Sequence, residues 1–188
     1  MTLPAGRHAL STSSSETAEA LIETLSARLL DGDSATSVLE RWCEERRLAS
    51  KARLVAARVP CPERGPSPEQ IQRLALSDGE AVRYRHVRLS CGGHVLSQAE
   101  NWYVPARLTT EMNLLLDVTE APFGRVVHTL FPKRRNLRLL RLWPRDAGVP
   151  GPSDLVFAIE AILSDRSGRP ICEVSETYTG AILANGDA

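Results

Sequence analysis

The chain has 188 residues, enough for one domain with a sizeable core. Its 23 basic and 23 acidic side chains balance, so no global field draws it to nucleic acid or to an anionic membrane. Residues 1–20 lack the apolar core of a secretory signal, and no apolar run approaches the length of a membrane span.

Residues 1–15, ending in a Ser-Thr-Ser-Ser-Ser run, read as a disordered leader, and one domain is expected over 16–184. A helix is expected over 16–30, where Ala20, Leu21, Leu25 and Leu29 repeat at helical spacing. Gly32, Asp33 and Ser34 break it. Asp33 or Ser34 can then cap a second helix carrying Val38, Leu39 and Trp42 on its inner stripe. A strand over 53–59, a Pro-rich loop over 60–68 and a short helix opened by Pro68 follow.

From Ala81 onward the pattern is that of antiparallel strands. Strands over 83–90 and 96–104 flank Gly92 and Gly93, a hairpin signal. A helix over 107–118 comes next, then strands over 137–143, 155–163 and 171–182, the last two joined by a polar turn over 165–169. Helices first and then mostly strands predict an α+β fold: an antiparallel sheet of about six strands with helices packed on one side.

Two charged side chains interrupt otherwise apolar strand faces. Alternation puts Arg85 on the face of Val87, Leu89 and Cys91, and Glu176 on that of Cys172, Val174 and Tyr178. A buried charge needs a partner, a ligand or a shifted pKa. Parity leaves two readings open at this point: Arg85 and Glu176 pair with each other, or they face a small anionic ligand. Glu173 falls on the opposite face, which is expected to be solvated, as is the strand face bearing Lys133, Arg134, Arg135, Arg138 and Arg141. Trp42 and Trp143 read as packing residues. The four cysteines (Cys43, Cys61, Cys91, Cys172) contain no CxxC pair and fit reduced thiols in a cytoplasmic protein. The four histidines show no ligand spacing, so no metal site is expected.

Four local patterns then point to a family. They are Asp-Gly-Asp-Ser-Ala-Thr at 31–36; Arg85 through Leu89 with the partner strand from Ala99 to Val104 and Pro105; Ala-Pro-Phe-Gly-Arg at 121–125; and Val-Ser-Glu-Thr-Tyr at 174–178. In this order and approximate spacing they resemble the chorismate lyase family. The resemblance runs from about Arg28 to Ile182. It implies a six-stranded antiparallel sheet with helical flaps enclosing the ligand, and cleavage of chorismate to 4-hydroxybenzoate and pyruvate without cofactor or metal. It also implies site residues: Arg85 and the backbone N–H groups of Ala35 and Phe123 for the ring carboxylate, with Gly124 beside them. Glu176, as general acid, would stand at the enolpyruvyl end, where burial would help it hold a proton.

The chain departs from the family where a second arginine is usual: Asn101 stands there, and it cannot neutralise a second carboxylate. Arg125 is the candidate to replace that cation. The expected partner is thus a small carboxylate-bearing molecule, with neither nucleic acid nor membrane involved. The leading expectation is a lyase. The alternatives are a binding protein for aromatic carboxylates on the same fold, as in ligand-sensing domains of transcription regulators, and an enzyme for a related acid. No helix-turn-helix segment is legible in the chain, which weighs against a stand-alone regulator.

Overall fold

Six antiparallel strands form a single sheet in the computed structural model, which describes residues 6–186. The strands are β1 (Val55–Arg58), β2 (Arg83–Cys91), β3 (His94–Tyr103), β4 (Lys133–Arg141), β5 (Leu155–Ser164) and β6 (Pro170–Thr179), in the spatial order β1-β2-β3-β6-β5-β4. Helices α1 (Gly6–Asp31), α2 (Ala35–Glu45), α4 (Thr110–Val118) and α5 (Phe123–Val126) contribute their buried residues to the core on one face, as expected; the short α3 (Pro68–Arg73) lies against β6 from the other.

Two hairpins build the sheet. The β2–β3 turn pairs Cys91 with His94, and Gly92 takes a φ of 57°, a left-handed conformation that favours glycine. A Cβ there would also stand 3.0 Å from the Leu48 carbonyl oxygen. The β5–β6 hairpin closes through Asp165, whose carboxylate accepts from the backbone N–H groups of Ser167 and Arg169. β3 then pairs with β6 and joins the two hairpins at the centre.

Local chemistry sets the helix ends. Ser34, one of the two expected caps, accepts from the Ser37 N–H at 3.3 Å and opens α2. Ser67 and Gln70 form a reciprocal capping box at α3. Thr109 accepts from Met112 N–H, so α4 starts at Thr110 and Arg107 falls in the preceding tight turn rather than in the helix. α1 begins ahead of the expected start: no Gly or Pro occurs over 7–31 to break it, and the serine-rich run is helical. Residues 1–5 of the expected leader lie outside the described residues. The buried stripe of α1 is Ala18, Ile22, Leu25 and Leu29, one step round from the expected one, so Ala20 faces solvent.

The core has two parts. Under α1 and α2, Leu25, Leu29, Leu39 and Trp42 pack on Phe157 and Tyr178, whose rings stack at 4.6 Å. Under α4 and α5, Met112, Leu116 and Phe123 cover Val87, Leu89, Ala99 and Tyr103. The site lies between them.

One buried guanidinium ties the periphery to the sheet. Arg107 donates to the carbonyls of Leu74, Ala75 and Pro170 and to both oxygens of Glu80. Removing it by Arg107→Met strands three carbonyls, while Glu80 keeps Arg169 and the Ser77 N–H, and should cost about 1–3 kcal/mol in urea unfolding; an unchanged stability would refute the role. Hydrogen bonding from Arg107, then from the Ser77 backbone, holds the Glu80 carboxyl down at about 2 against an ordinary 4.5. The folded value is the lower one, so ionised Glu80 favours the fold above about pH 4.5 and loses that effect as pH falls toward 2. The stability gap between wild type and Glu80→Gln should therefore narrow across that window. A constant gap would contradict the pairing.

Candidate functional site

The sheet register decides what meets what. One inward-facing row runs Arg85–Asn101–Val174–Ala161 and the next runs Val87–Ala99–Glu176–Ile159. Arg85 and Glu176 both point inward and both are buried, at 3% and 5% exposure. They stand two strands and one row apart, roughly 12 Å between Cα atoms from standard sheet spacings. No hydrogen bond or ion pair joins them among the described residues, so the cross-sheet pairing left open by parity does not form.

Over these rows lies a cavity of about 40 Å³, counted as space open to the centre of a water molecule. Val87, Leu89, Ala99, Asn101, Val174 and Glu176 form its floor. The start of α2 (Ala35, Thr36) and the segment Pro122, Phe123, Gly124 close it from above. All four sequence patterns thus converge on one place. Gly124 is required by space rather than by a turn: a Cβ on it would sit 2.9 Å from Thr36 Oγ1, so its bareness lets the two covering segments meet.

The last wall was not legible beforehand. Arg134, on edge strand β4, is not on a solvated face: its side chain is 2% exposed and enters the cavity, where Nη2 donates to Glu176 Oε2 at 2.6 Å. Its Nε donates to Asn136, one inward position along β4, which steers the side chain diagonally toward β6. The strand begins at Lys133, four residues before the expected start, and this places Arg134 in the ladder opposite Leu163. Tyr178 donates its hydroxyl to the same Glu176 oxygen at 3.2 Å. Burial, and then the Glu176 charge, push the Tyr178 pKa well up, and burial does the same for the Cys172 thiol.

Arg85 adjoins the cavity without lining it. Its Nη2 donates to the carbonyl of Ala121 at 3.1 Å, while Nε and Nη1 are buried with no hydrogen-bond partner among the described residues. Burial, and then repulsion from Arg58, pull its pKa down to about 10, which still leaves it charged at neutral pH. A buried cation with unused donors is the arrangement that an incoming carboxylate satisfies.

Other expected residues stand differently. Asn101 lines the cavity, but its Nδ2 reaches the Arg85 carbonyl at 3.4 Å and its oxygen faces the Cys172 thiol. Arg125 turns away: it pairs with Glu40 and donates to the Leu54 carbonyl, so it knits α5 to α2 and supplies no cation to the cavity. Glu173 does lie on the far face, yet it is buried there rather than solvated, because α3 brings Arg73 onto both its oxygens at 2.7–2.8 Å. Among the described residues, no cluster of His, Cys, Asp or Glu could hold a metal ion, and no helix is long and apolar enough to cross a membrane.

No family model matches the chain. The uncharacterized protein y4mC of Sinorhizobium fredii (strain NBRC 101917 / NGR234) is 38% identical over 179 residues, covering 87% of this chain and 76% of that protein. Among solved structures, the effector domain of PhnF from Mycobacterium smegmatis superposes with a TM-score of 0.53 at 13% identity, over 79% of this chain and 89% of that one. Whole PhnF gives 0.52 at 13% identity, over 82% and 67%. The chain thus shares the fold of the PhnF effector domain, an α+β arrangement with a six-stranded antiparallel sheet and helices on one side.

Breaking the Arg134–Glu176 pair leaves a buried charge. Arg134→Met should therefore cost about 3–5 kcal/mol, while the double variant Arg134→Met/Glu176→Gln should recover most of that loss. Chemical denaturation of the three proteins decides it. Additive losses in the double variant would mean that the two side chains act independently.

Proposed function

We propose that this chain, which belongs to the family of the uncharacterized protein y4mC of Sinorhizobium fredii, binds a small carboxylate-bearing molecule and does not turn it over. The observation that carries this reading is Arg85, a buried cation with two nitrogen atoms that have no hydrogen-bond partner among the described residues, held directly behind the cavity walls Asn101 and Pro122 without lining the cavity itself. An arginine can meet a carboxylate with charge-assisted hydrogen bonds, and Arg85 keeps Nε and Nη1, on either side of the engaged Nη2, available to donate. Ala35 N–H, at the first position of α2 and in the cavity wall, would add a donor, with Phe123, Gly124 and Asn101 as further walls.

Fold likeness supports the same reading, since the effector domain of PhnF is built on this sheet and helix arrangement. It extends to the fold and not to any reaction. The resemblance to chorismate lyase would make Glu176 a general acid, which must carry a proton to the substrate. Here Glu176 accepts hydrogen bonds from Arg134 and Tyr178 at one oxygen, an arrangement suited to a fixed acceptor. The cation at Arg134 is committed to that carboxylate, and Asn101 offers none, so the second carboxylate of chorismate has no free positive partner.

Two measurements test the proposal. Arg85→Ala should weaken binding of small carboxylates such as oxamate, read by calorimetry, by about 1.5–3 kcal/mol, the scale of a charged hydrogen bond. Unchanged affinity would assign Arg85 to the fold. Incubation with chorismate should release no pyruvate above a Glu176→Gln control. Stoichiometric release of pyruvate and 4-hydroxybenzoate, lost in the control, would replace binding with lyase chemistry.

A further inference from the structure

The charges at the cavity can be counted. Arg85 and Arg134 contribute two positive charges and Glu176 one negative charge; all three are buried, with Arg134 and Glu176 already paired at 2.6 Å. The neighbouring Tyr103, Tyr178 and Cys172 add none, because burial raises the pKa of each. Asp33 sits at the rim, exposed to water. Behind Arg85, the Arg58, Arg83 and Asp117 cluster reaches solvent, with side chains 36–48% exposed, so it is screened. Among the described residues one positive charge therefore remains without a buried counter-charge.

We infer that the site selects a monoanion: a ligand carrying one carboxylate, whose charge balances Arg85 while Glu176 continues to balance Arg134. This rests on the reading of Arg85 as a ligand anchor and adds the charge class of the ligand. A dianion would place its second carboxylate in a buried site that already holds the Glu176 carboxylate, and like charges out of water repel strongly. Glu176 is thus a specificity-determining residue, a resident anion that occupies the cation a second carboxylate would need. The cavity agrees with a small ligand: about 40 Å³ of this measure corresponds to roughly three waters.

Isosteric acids that differ only in charge separate this from a size effect. The probes are oxamate against oxalate and malonamate against malonate, small enough for such a cavity and titrated calorimetrically at pH 7.5 into the full chain. Wild type should bind at least one monoanion, and at least tenfold tighter than its dianionic twin. Glu176→Gln, which leaves two positive charges, should erase or reverse that preference. The double variant Arg134→Met/Glu176→Gln restores the count of one and should restore the preference, with thermal melts confirming that each variant is folded. Equal affinity of wild type for both members of a pair, or a ratio that Glu176→Gln leaves unchanged, would overturn the monoanion inference while leaving carboxylate binding intact. Failure of wild type to bind any of the four acids, or binding indifferent to Arg85→Ala, would instead overturn the anchor on which it rests.

Discussion

A guanidinium taken out of water must find acceptors for its donors, and this constraint organises the molecule. Among the described residues three arginine side chains are buried, and each meets the demand differently. Arg107 uses its whole fork on three carbonyls and a carboxylate, and so fastens the loop after α3 and the start of β6 together. Arg134 satisfies itself on Asn136 and Glu176 and so fixes the edge strand to the centre of the sheet. Arg85 makes one side-chain hydrogen bond and leaves two nitrogen atoms without a partner among the described residues. The first two behave as structural cations. The third has the signature of a group kept for something else, because a fold gains nothing from an unsatisfied buried charge.

The topology makes that difference possible. Pairing β3 with β6 sets the two hairpins side by side, so inward residues from β2, β3 and β6 share one floor while α2 and α5 close over it. Arg85 and Glu176 are held too far apart to neutralise one another. Glu176 is instead reached from the opposite edge by a long side chain on β4. The outcome is a site with an internal ion pair at one end and an unpaired cation at the other.

Much of this was legible in the sequence. Strand alternation placed Arg85 and Glu176 on the buried face, the Gly92-Gly93 turn located the first hairpin, and Ser34 was one of two named caps. The four patterns that resemble chorismate lyases do converge on one cavity. What escaped depends on contacts that no local pattern encodes. Arg134 sits in a run of basic residues on an edge strand, where solvation is the ordinary outcome, and only the bonds to Asn136 and Glu176 reveal its burial. The alternation of Arg134 with Asn136, the single uncharged polar residue in a strand of bases and leucines, was the available signal. Glu173 was misplaced for a similar reason: parity gave its face correctly, but not the helix that covers it. Arg125 was equally undecided until Glu40, far away in sequence, took it.

The central claim is that Arg85 is retained for a ligand at the expense of the fold. The most direct measurement is the unfolding free energy of ligand-free Arg85→Met beside wild type. Methionine fills similar space without buried donors, so the account predicts a variant more stable by about 1–3 kcal/mol, the penalty of leaving such groups unsatisfied. A variant destabilised by that amount would show that Arg85 holds the fold together, and would contradict the account.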